Sequence, residues 1–285
     1  MYFLKSKESI GIFFAILAYF SFSLLDVVQK TAVITHSIFQ LLLIKYIFVF
    51  FLSFFESRRK KNYTFYYYKN IRLQILRGIL SVLESGFFVL SFKYLSLADA
   101  HSIGSLTPVI VVILSLFFLK EEVTFKTWVA ISIGFIGVLI IMRPGLSIFD
   151  PKSLIPLAAA FFLGLYQVFT RKVSKYDSTE TSLLYNSIIG ISIMIIFCYF
   201  FWQNLNANSF VLLFLVGTFY SFGLYFQIIA LSKARASILQ PFHYTLIFWA
   251  IIFGYIFYND LPDLPTIIGA TIITISGIYV LKQKN

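Results

Sequence analysis

The chain is 285 residues long, carries a net charge of +11, and is 59% hydrophobic but only 12% charged, with a mean hydropathy of +0.87. Apolar runs of about twenty residues recur along it, the length of helix that crosses the hydrocarbon core of a bilayer, and this excludes a soluble globular domain. The positive charge reads as a topology signal rather than as a nucleic-acid surface, because the basic residues sort by side of the membrane.

Taken in chain order, the apolar runs predict spans at 9–29, 37–55, 71–94, 98–119, 125–142, 153–170, 178–202, 209–231, 236–258 and 265–281. The expected architecture is an all-α membrane protein of about ten transmembrane helices. The first run has no small-residue cleavage pattern before Lys30, so it reads as a retained span rather than a signal peptide. Turns are marked by Arg58-Arg59-Lys60-Lys61, Arg143-Pro144-Gly145 and the stretch 204–208, too short for an extramembrane domain. Pro108 and Pro241, near the starts of the fourth and ninth spans, are expected to bend those helices locally.

With the N-terminus inside, the interior loops and tails gather Lys5, Lys7, Arg58 to Lys61, Lys69, Arg72, Lys120, Lys126, Arg171, Lys172, Lys175, Lys233, Arg235, Lys282 and Lys284. The outer side keeps only Lys30, Lys93, Arg143 and Lys152. That bias predicts a multi-pass membrane protein with both termini in the cytoplasm and an even number of spans.

Enzymatic signatures are missing. Cys198 is the only cysteine, and His36, His101 and His243 lack metal-ligand spacing. No GxSxG, HExxH, Walker or GxGxxG pattern stands in a suitable context. The expectation is no enzyme, no cofactor and no metal.

The informative residues are those that are costly to place in a membrane. Asp26, Lys45, Arg77 and Glu84 all fall inside predicted spans, where an ionised group costs several kcal/mol unless it meets a partner or a watered path. Glu84 and Arg77 lie seven residues apart, almost two turns, so they project on one face about 10 Å apart and could share a cavity. Alternatively Arg77 snorkels to the inner interface and Glu84 bonds a neighbouring helix. Asp26 precedes Lys30 by four residues, an ordinary helical pair, or else coordinates substrate or a cation. Lys45, near mid-membrane, needs an internal partner, either Glu84 or a substrate carboxylate. Gln240, His243 and Tyr244 share one helix face, and Tyr166 with Thr170 and Tyr220 with Gln227 form similar polar stripes. Such residues line a pocket or simply join helices by hydrogen bonds.

The two halves echo each other. Leu97-Ala98-Asp99-Ala100 is matched by Lys233-Ala234-Arg235-Ala236, Glu121 by Asp260, and 130–137 by 269–277. An offset of roughly 135 to 140 residues implies two five-helix units, 1–145 and 150–285, and an odd number of spans per unit makes the copies inverted. The repeat sets Gln167 at about the position of Asp26.

At Leu97 to His101, Leu106-Thr107-Pro108, Glu121 with Trp128, Gly134 to Ile140, Arg143-Pro144-Gly145 and Gln240 to Tyr244, the chain resembles the EamA-type members of the drug/metabolite transporter superfamily. The resemblance covers nearly the whole chain and implies a basket of helices around a central cavity, working by alternating access. Family members include bacterial importers of riboflavin and of S-adenosylmethionine, as well as amino-acid and metabolite exporters. It implies a small-molecule substrate, with possible proton or counter-substrate coupling, and Glu84, Asp26, Lys45, Tyr166, Gln167, Gln240, His243 and Tyr244 as substrate-binding candidates. A riboflavin-like substrate ranks narrowly first by resemblance and would use stacking and neutral hydrogen bonds, whereas S-adenosylmethionine would use Asp26 and Glu84 as countercharges. A lipid or glycolipid flippase is the alternative carrier, and an intramembrane enzyme would require Asp26 and Glu84 to meet across a water.

Overall fold

The computed structural model describes residues 6–95, 97–142, 151–205 and 207–258, with the helical pieces 264–265, 267–269, 271–272 and 275–276. Among the described residues all regular structure is helical: α1 Lys7–Thr35, α2 Ile38–Arg59, α3 Ile71–Ser91, α4 Leu97–Gly104, α5 Thr107–Phe118, α6 Phe125–Met142, α7 Leu154–Val173, α8 Thr179–Phe201, α9 Ala207–Lys233, α10 Ala236–His243 and α11 Thr245–Tyr258. Six of these stretches are long and apolar enough to cross a membrane: α1, α2, α3, Pro151–Val173 around α7, α8 and Ser209–Lys233 within α9. The Arg143-Pro144-Gly145 turn, Asp260 and most of the predicted span 265–281 lie outside the described residues.

Helix starts are written in the sequence. Ser6, Ser37, Asn70 and Ser178 each accept a hydrogen bond from the backbone N–H three residues on, and Ser37 and Gln40 complete a reciprocal capping box. These caps satisfy N–H groups that would otherwise be orphaned at a helix end.

The predicted fourth and ninth spans each divide in two. Span 98–119 becomes α4 and α5, separated at Ser105 and Leu106, with Pro108 in the first turn of α5. Span 236–258 becomes α10, which contains Pro241, and α11, separated at Tyr244. Proline lacks a backbone N–H, so Pro108 cannot bond back across Ser105 and Leu106 to Gly104, and Pro241 removes one helical hydrogen bond within α10, shortly before its end at His243. The result is a break rather than the local bend that the sequence suggested.

Three long helices of the N-terminal half each pack on one of the C-terminal half: α1 on α9, α2 on α8 and α3 on α7. Around them α5 lies against α7 and α11 against α1, while α4 touches α7, α10 touches α1, and α5 meets α10. With the α5–α10 contact set aside, exchanging α1–α5 in order with α7–α11 maps these pairings onto themselves. Phe51, Ile195, Ile196 and Phe200 stand exposed on the outer surface, as suits side chains bathed in lipid tails.

The seam between α2 and α8 is closed by a side chain sitting on a glycine. A Cβ built on Gly190 would come within 2.3 Å of the Tyr46 ring. Tyr46 is fully buried, and its hydroxyl lies 3.3 Å from Ser81 Oγ. Gly190→Ala is therefore expected to destabilise the protein by about 1–3 kcal/mol, the range for overpacking a tight core. Thermal unfolding in detergent measures it, and an unchanged unfolding temperature would show that this seam tolerates the extra methyl.

Candidate functional site

The two helix breaks meet at a cavity. Gly104, Ser105 and Thr107 from the first break, and His243 and Leu246 from the second, line a space of about 100 Å3. The remaining wall comes from the middle of α1, α2, α3, α7 and α9 and from the parts of α1, α2, α3 and α7 farther from the Arg58–Lys61 loop. Interrupted helices at corresponding places in two halves free backbone groups and small residues at bilayer depth, which is where a membrane bundle can build a polar site.

Asp26, Lys45 and Glu84 all face this cavity, together with Tyr166 and His243. Lys45 is 2% exposed, donates to Ser85 Oγ at 3.1 Å, and stands 5.0 Å from the Tyr220 ring centroid. Its electrostatic partners are Glu84 and, more weakly, Asp26. Asp26 Oδ2 lies 3.5 Å from His101 Nε2, a neighbour that the Asp26–Lys30 spacing did not suggest. Glu84 is half-buried on the cavity wall, and its charge partner is Lys45. Two carboxylates thus share one ammonium, so the cavity has anionic capacity to spare. Five aromatic side chains, Tyr19, Phe22, Phe88, Tyr166 and Tyr220, stand among its aliphatic, small and neutral polar lining residues. Phe88 meets the His101 ring edge-on at 5.3 Å, and Tyr19 meets His243 at 5.1 Å.

One hydroxyl organises the floor. Ser81 Oγ lies 3.3 Å from both Tyr46 OH and Tyr220 OH, and accepts from Asn186 Nδ2 at 3.3 Å. Four helices are fixed around it. Arg77 takes neither course that the sequence offered: it lies outside the cavity lining and it does not snorkel, being 0% exposed. It sits behind Tyr166, to whose hydroxyl Nη1 donates at 3.2 Å.

Gln167, Gln240 and Tyr244 are not among the cavity-lining residues. Gln240 Nε2 donates to Gln167 Oε1 at 3.0 Å and to Ala236 O at 2.9 Å, joining α10 to α7. The Tyr244 ring packs on Gly134, and its hydroxyl points at Ile131 O, 3.4 Å away. His101, Gln29, Ser85 and Thr107 line the cavity and were not singled out as site residues from the sequence. For His101 and Thr107 the available signal was their position just before Pro108, at the helix break. Among the described residues, no three His, Cys, Asp or Glu side chains converge to hold a metal ion.

The end of the bundle bearing the Arg58–Lys61 loop is tied shut by polar contacts between the halves. Lys60 Nζ donates to Glu180 Oε1 at 2.5 Å, Tyr225 OH to Glu56 Oε2 at 2.7 Å, and Gln74 Nε2 to Asp177 Oδ2 at 2.7 Å. Glu121, just past α5, accepts from the backbone N–H groups of Ala236 and Ser237 at 3.2 Å each and from Ser237 Oγ at 2.9 Å, capping α10. Arg171 stands 3.5 Å from Glu121 and donates to Leu231 O and Ser232 O at the end of α9.

The model of the EamA-like transporter family matches residues 9–143 and again 153–282. An S-adenosylmethionine uptake transporter of Rickettsia prowazekii (strain Madrid E) is 25% identical over 242 residues, 83% of this chain and 82% of the relative. A riboflavin transporter of Vibrio cholerae serotype O1 is 28% identical over 180 residues, 63% of this chain and 60% of the relative. In the solved structures, a protein known by its crystal structure superposes with a TM-score of 0.79 at 14% identity, covering 96% of this chain and 95% of that one, a likeness of fold.

The shared ammonium makes a measurable prediction. Lys45→Met leaves Asp26 and Glu84 without their cation and is expected to lower stability, whereas Lys45→Met combined with Glu84→Gln recovers part of the loss. The coupling between the two sites is expected at about 0.5–3 kcal/mol. Thermal unfolding of the four proteins completes the cycle, and simple additivity would show that Lys45 and Glu84 do not interact.

Proposed function

The chain belongs to the EamA-like transporter family, and from that premise we propose that it carries a zwitterionic, cation-bearing aromatic metabolite of the S-adenosylmethionine type across the inner membrane. The observation that carries this reading is the cavity with two carboxylates and one lysine between aromatic walls. S-adenosylmethionine bears a sulfonium, an ammonium and a carboxylate, a net single positive charge that complements a site holding one carboxylate in excess. Its adenine offers a face for Phe88, Tyr166 or Tyr220 to stack on. Riboflavin is uncharged and would leave the excess carboxylate unanswered at bilayer depth. The Rickettsia relative named for S-adenosylmethionine uptake agrees with this choice.

The mechanism proposed is alternating access between two inverted five-helix units, 1–145 and 150–285. Two separate matches to the family model support the division, and so does a set of helix pairings that survives exchange of the halves. In this scheme Asp26 and Glu84 receive the cationic groups, Lys45 keeps the pair soluble in the membrane, and the contacts around Glu56, Glu121 and Glu180 hold the cytoplasmic end closed while the site is filled from outside.

Uptake into cells or proteoliposomes tests the reading. Labelled S-adenosylmethionine is expected to accumulate and riboflavin not to. Glu84→Gln, which keeps the shape and removes the charge, is expected to reduce uptake by about tenfold or more with normal membrane insertion, as befits loss of a charged hydrogen-bonding partner. Asp26→Asn, whose neighbour His101 remains, is expected to reduce it less. Transport of riboflavin alone, or wild-type rates in Glu84→Gln, would sink the proposal. The topology is tested apart from this: a cysteine at exposed Tyr63 in a Cys198→Ala background is expected to resist an impermeant thiol reagent in intact cells, and labelling there would reverse the orientation.

A further inference from the structure

Arg77 is a buried guanidinium whose nearest polar contacts are neutral. Nε and Nη2 donate to Gln74 Oε1 at 3.3 and 3.0 Å, Nη2 also donates to Ser182 O, and Nη1 donates to Tyr166 OH. Asp177 is reached only through the Gln74 amide, which donates to it at 2.7 Å. A guanidinium withdrawn from water without a directly bonded carboxylate is expensive to keep, so a role that needs its field is worth seeking.

The only one of these partners on the cavity wall is Tyr166. Its oxygen accepts from Arg77, and the Thr170 hydroxyl one turn along the same helix is its other polar neighbour. Among the described residues no carboxylate is hydrogen-bonded to this phenol, its proton can turn toward the cavity that the ring lines, and a donor whose oxygen already accepts from a cation is polarised into a stronger one. The guanidinium carbon lies 5.7 Å from the ring centroid, so its field enters the site at this point of the wall. Lys45 is engaged by Ser85 and by the two carboxylates. The Tyr166 hydroxyl is consequently the positive pole that no carboxylate occupies.

We propose that Tyr166 is the anion subsite of the cavity and that Arg77, acting through it, is a positioning residue that selects substrates bearing a carboxylate opposite their cationic group. The inference rests on the zwitterion reading above and fixes the orientation of that zwitterion: cationic groups toward Asp26 and Glu84, carboxylate toward Tyr166.

Titration calorimetry on the purified full chain, with S-adenosylmethionine and with its decarboxylated form, tests it. The decarboxylated form carries more positive charge, so a site reading net charge alone would prefer it. The anion subsite instead makes wild-type protein bind the carboxylated form tighter by roughly 10- to 100-fold, the worth of a hydrogen bond to a charged group. Tyr166→Phe and Arg77→Gln are each expected to remove most of that preference while leaving the decarboxylated form bound as before. The double variant should be no worse than either single one, and Arg77→Lys should restore part of the preference. A merely structural Arg77 would weaken both ligands alike, and that outcome overturns the proposal, as does an undiminished preference in Tyr166→Phe. Should Arg77→Gln fail to fold, Tyr166→Phe decides alone, since it removes a single oxygen. Wild-type protein that binds neither ligand overturns the substrate reading itself, whereas wild-type protein that binds both equally overturns the anion subsite and leaves that reading standing.

Discussion

A charge that cannot reach water must find its opposite inside the protein, and four such charges meet around one space here. Asp26 and Glu84 come from α1 and α3, Lys45 from α2, and Arg77 from α3 two turns below Glu84. Taken together they are balanced, two against two, but the balance is divided by Tyr166: both carboxylates and the lysine face the cavity, and the guanidinium stands behind the wall. The divided arrangement gives the cavity a polarity that a set of directly paired ions would cancel. It also requires α1, α2, α3 and α7 to keep their relative positions, since a shift of any one exposes a charge to hydrocarbon or strands it without a partner. The hydroxyl cluster around Ser81 and the Tyr46 ring seated on Gly190 hold two of these, α2 and α3, by locking them to α8 and α9.

The broken helices do complementary work. Continuous helices would present only side chains to the cavity, whereas the interruptions after Gly104 and His243 bring backbone ends and small residues to bilayer depth. The junction between α9 and the short helix α10 is held by a charge on each side. Glu121 sits on its N-terminal N–H groups, and Arg171 sits on the C-terminal carbonyls of α9, each ion at the dipole end of opposite sign. These contacts cross between the halves at the end of the bundle remote from the cavity, so opening that end requires exchanging good ion–dipole contacts for water.

The long helices were legible in the sequence because apolar length is a direct consequence of bilayer thickness, and their starts were marked by Ser37, Asn70 and Ser178. The helix breaks were legible only as bends, since proline signals a defect without fixing its size. Charges at depth led to Asp26, Lys45 and Glu84, all on the cavity wall. The same reasoning could not foresee that Arg77 turns behind Tyr166, because one helix face is wide enough to serve a cavity and a helix interface at once. Gln240 and Tyr244 share helical spacing with His243, yet only His243 reaches the cavity. Periodicity places residues on a face, and one face of α10 is wide enough for His243 to meet the cavity while Gln240 bonds Gln167 on α7.

A difference between the halves sets the direction in which the site is charged. On the two-unit reading, Asp26 against His101 occupies the place that Gln167 against Gln240 occupies in the other half. The first pair is ionisable and lines the cavity, while the second is neutral and sealed between α7 and α10. An inverted repeat with identical pairs would offer the same countercharge to both openings. Here the acidic members come only from α1 and α3, and the second half contributes Tyr166, Tyr220 and His243. On the zwitterion reading proposed above, the cationic end is held by one half and the anionic end by the other. In that proposed scheme the binding energy acts across the seam where α3 packs on α7, and a substrate with unlike ends gives two halves of like helix order a reason to stay chemically unlike.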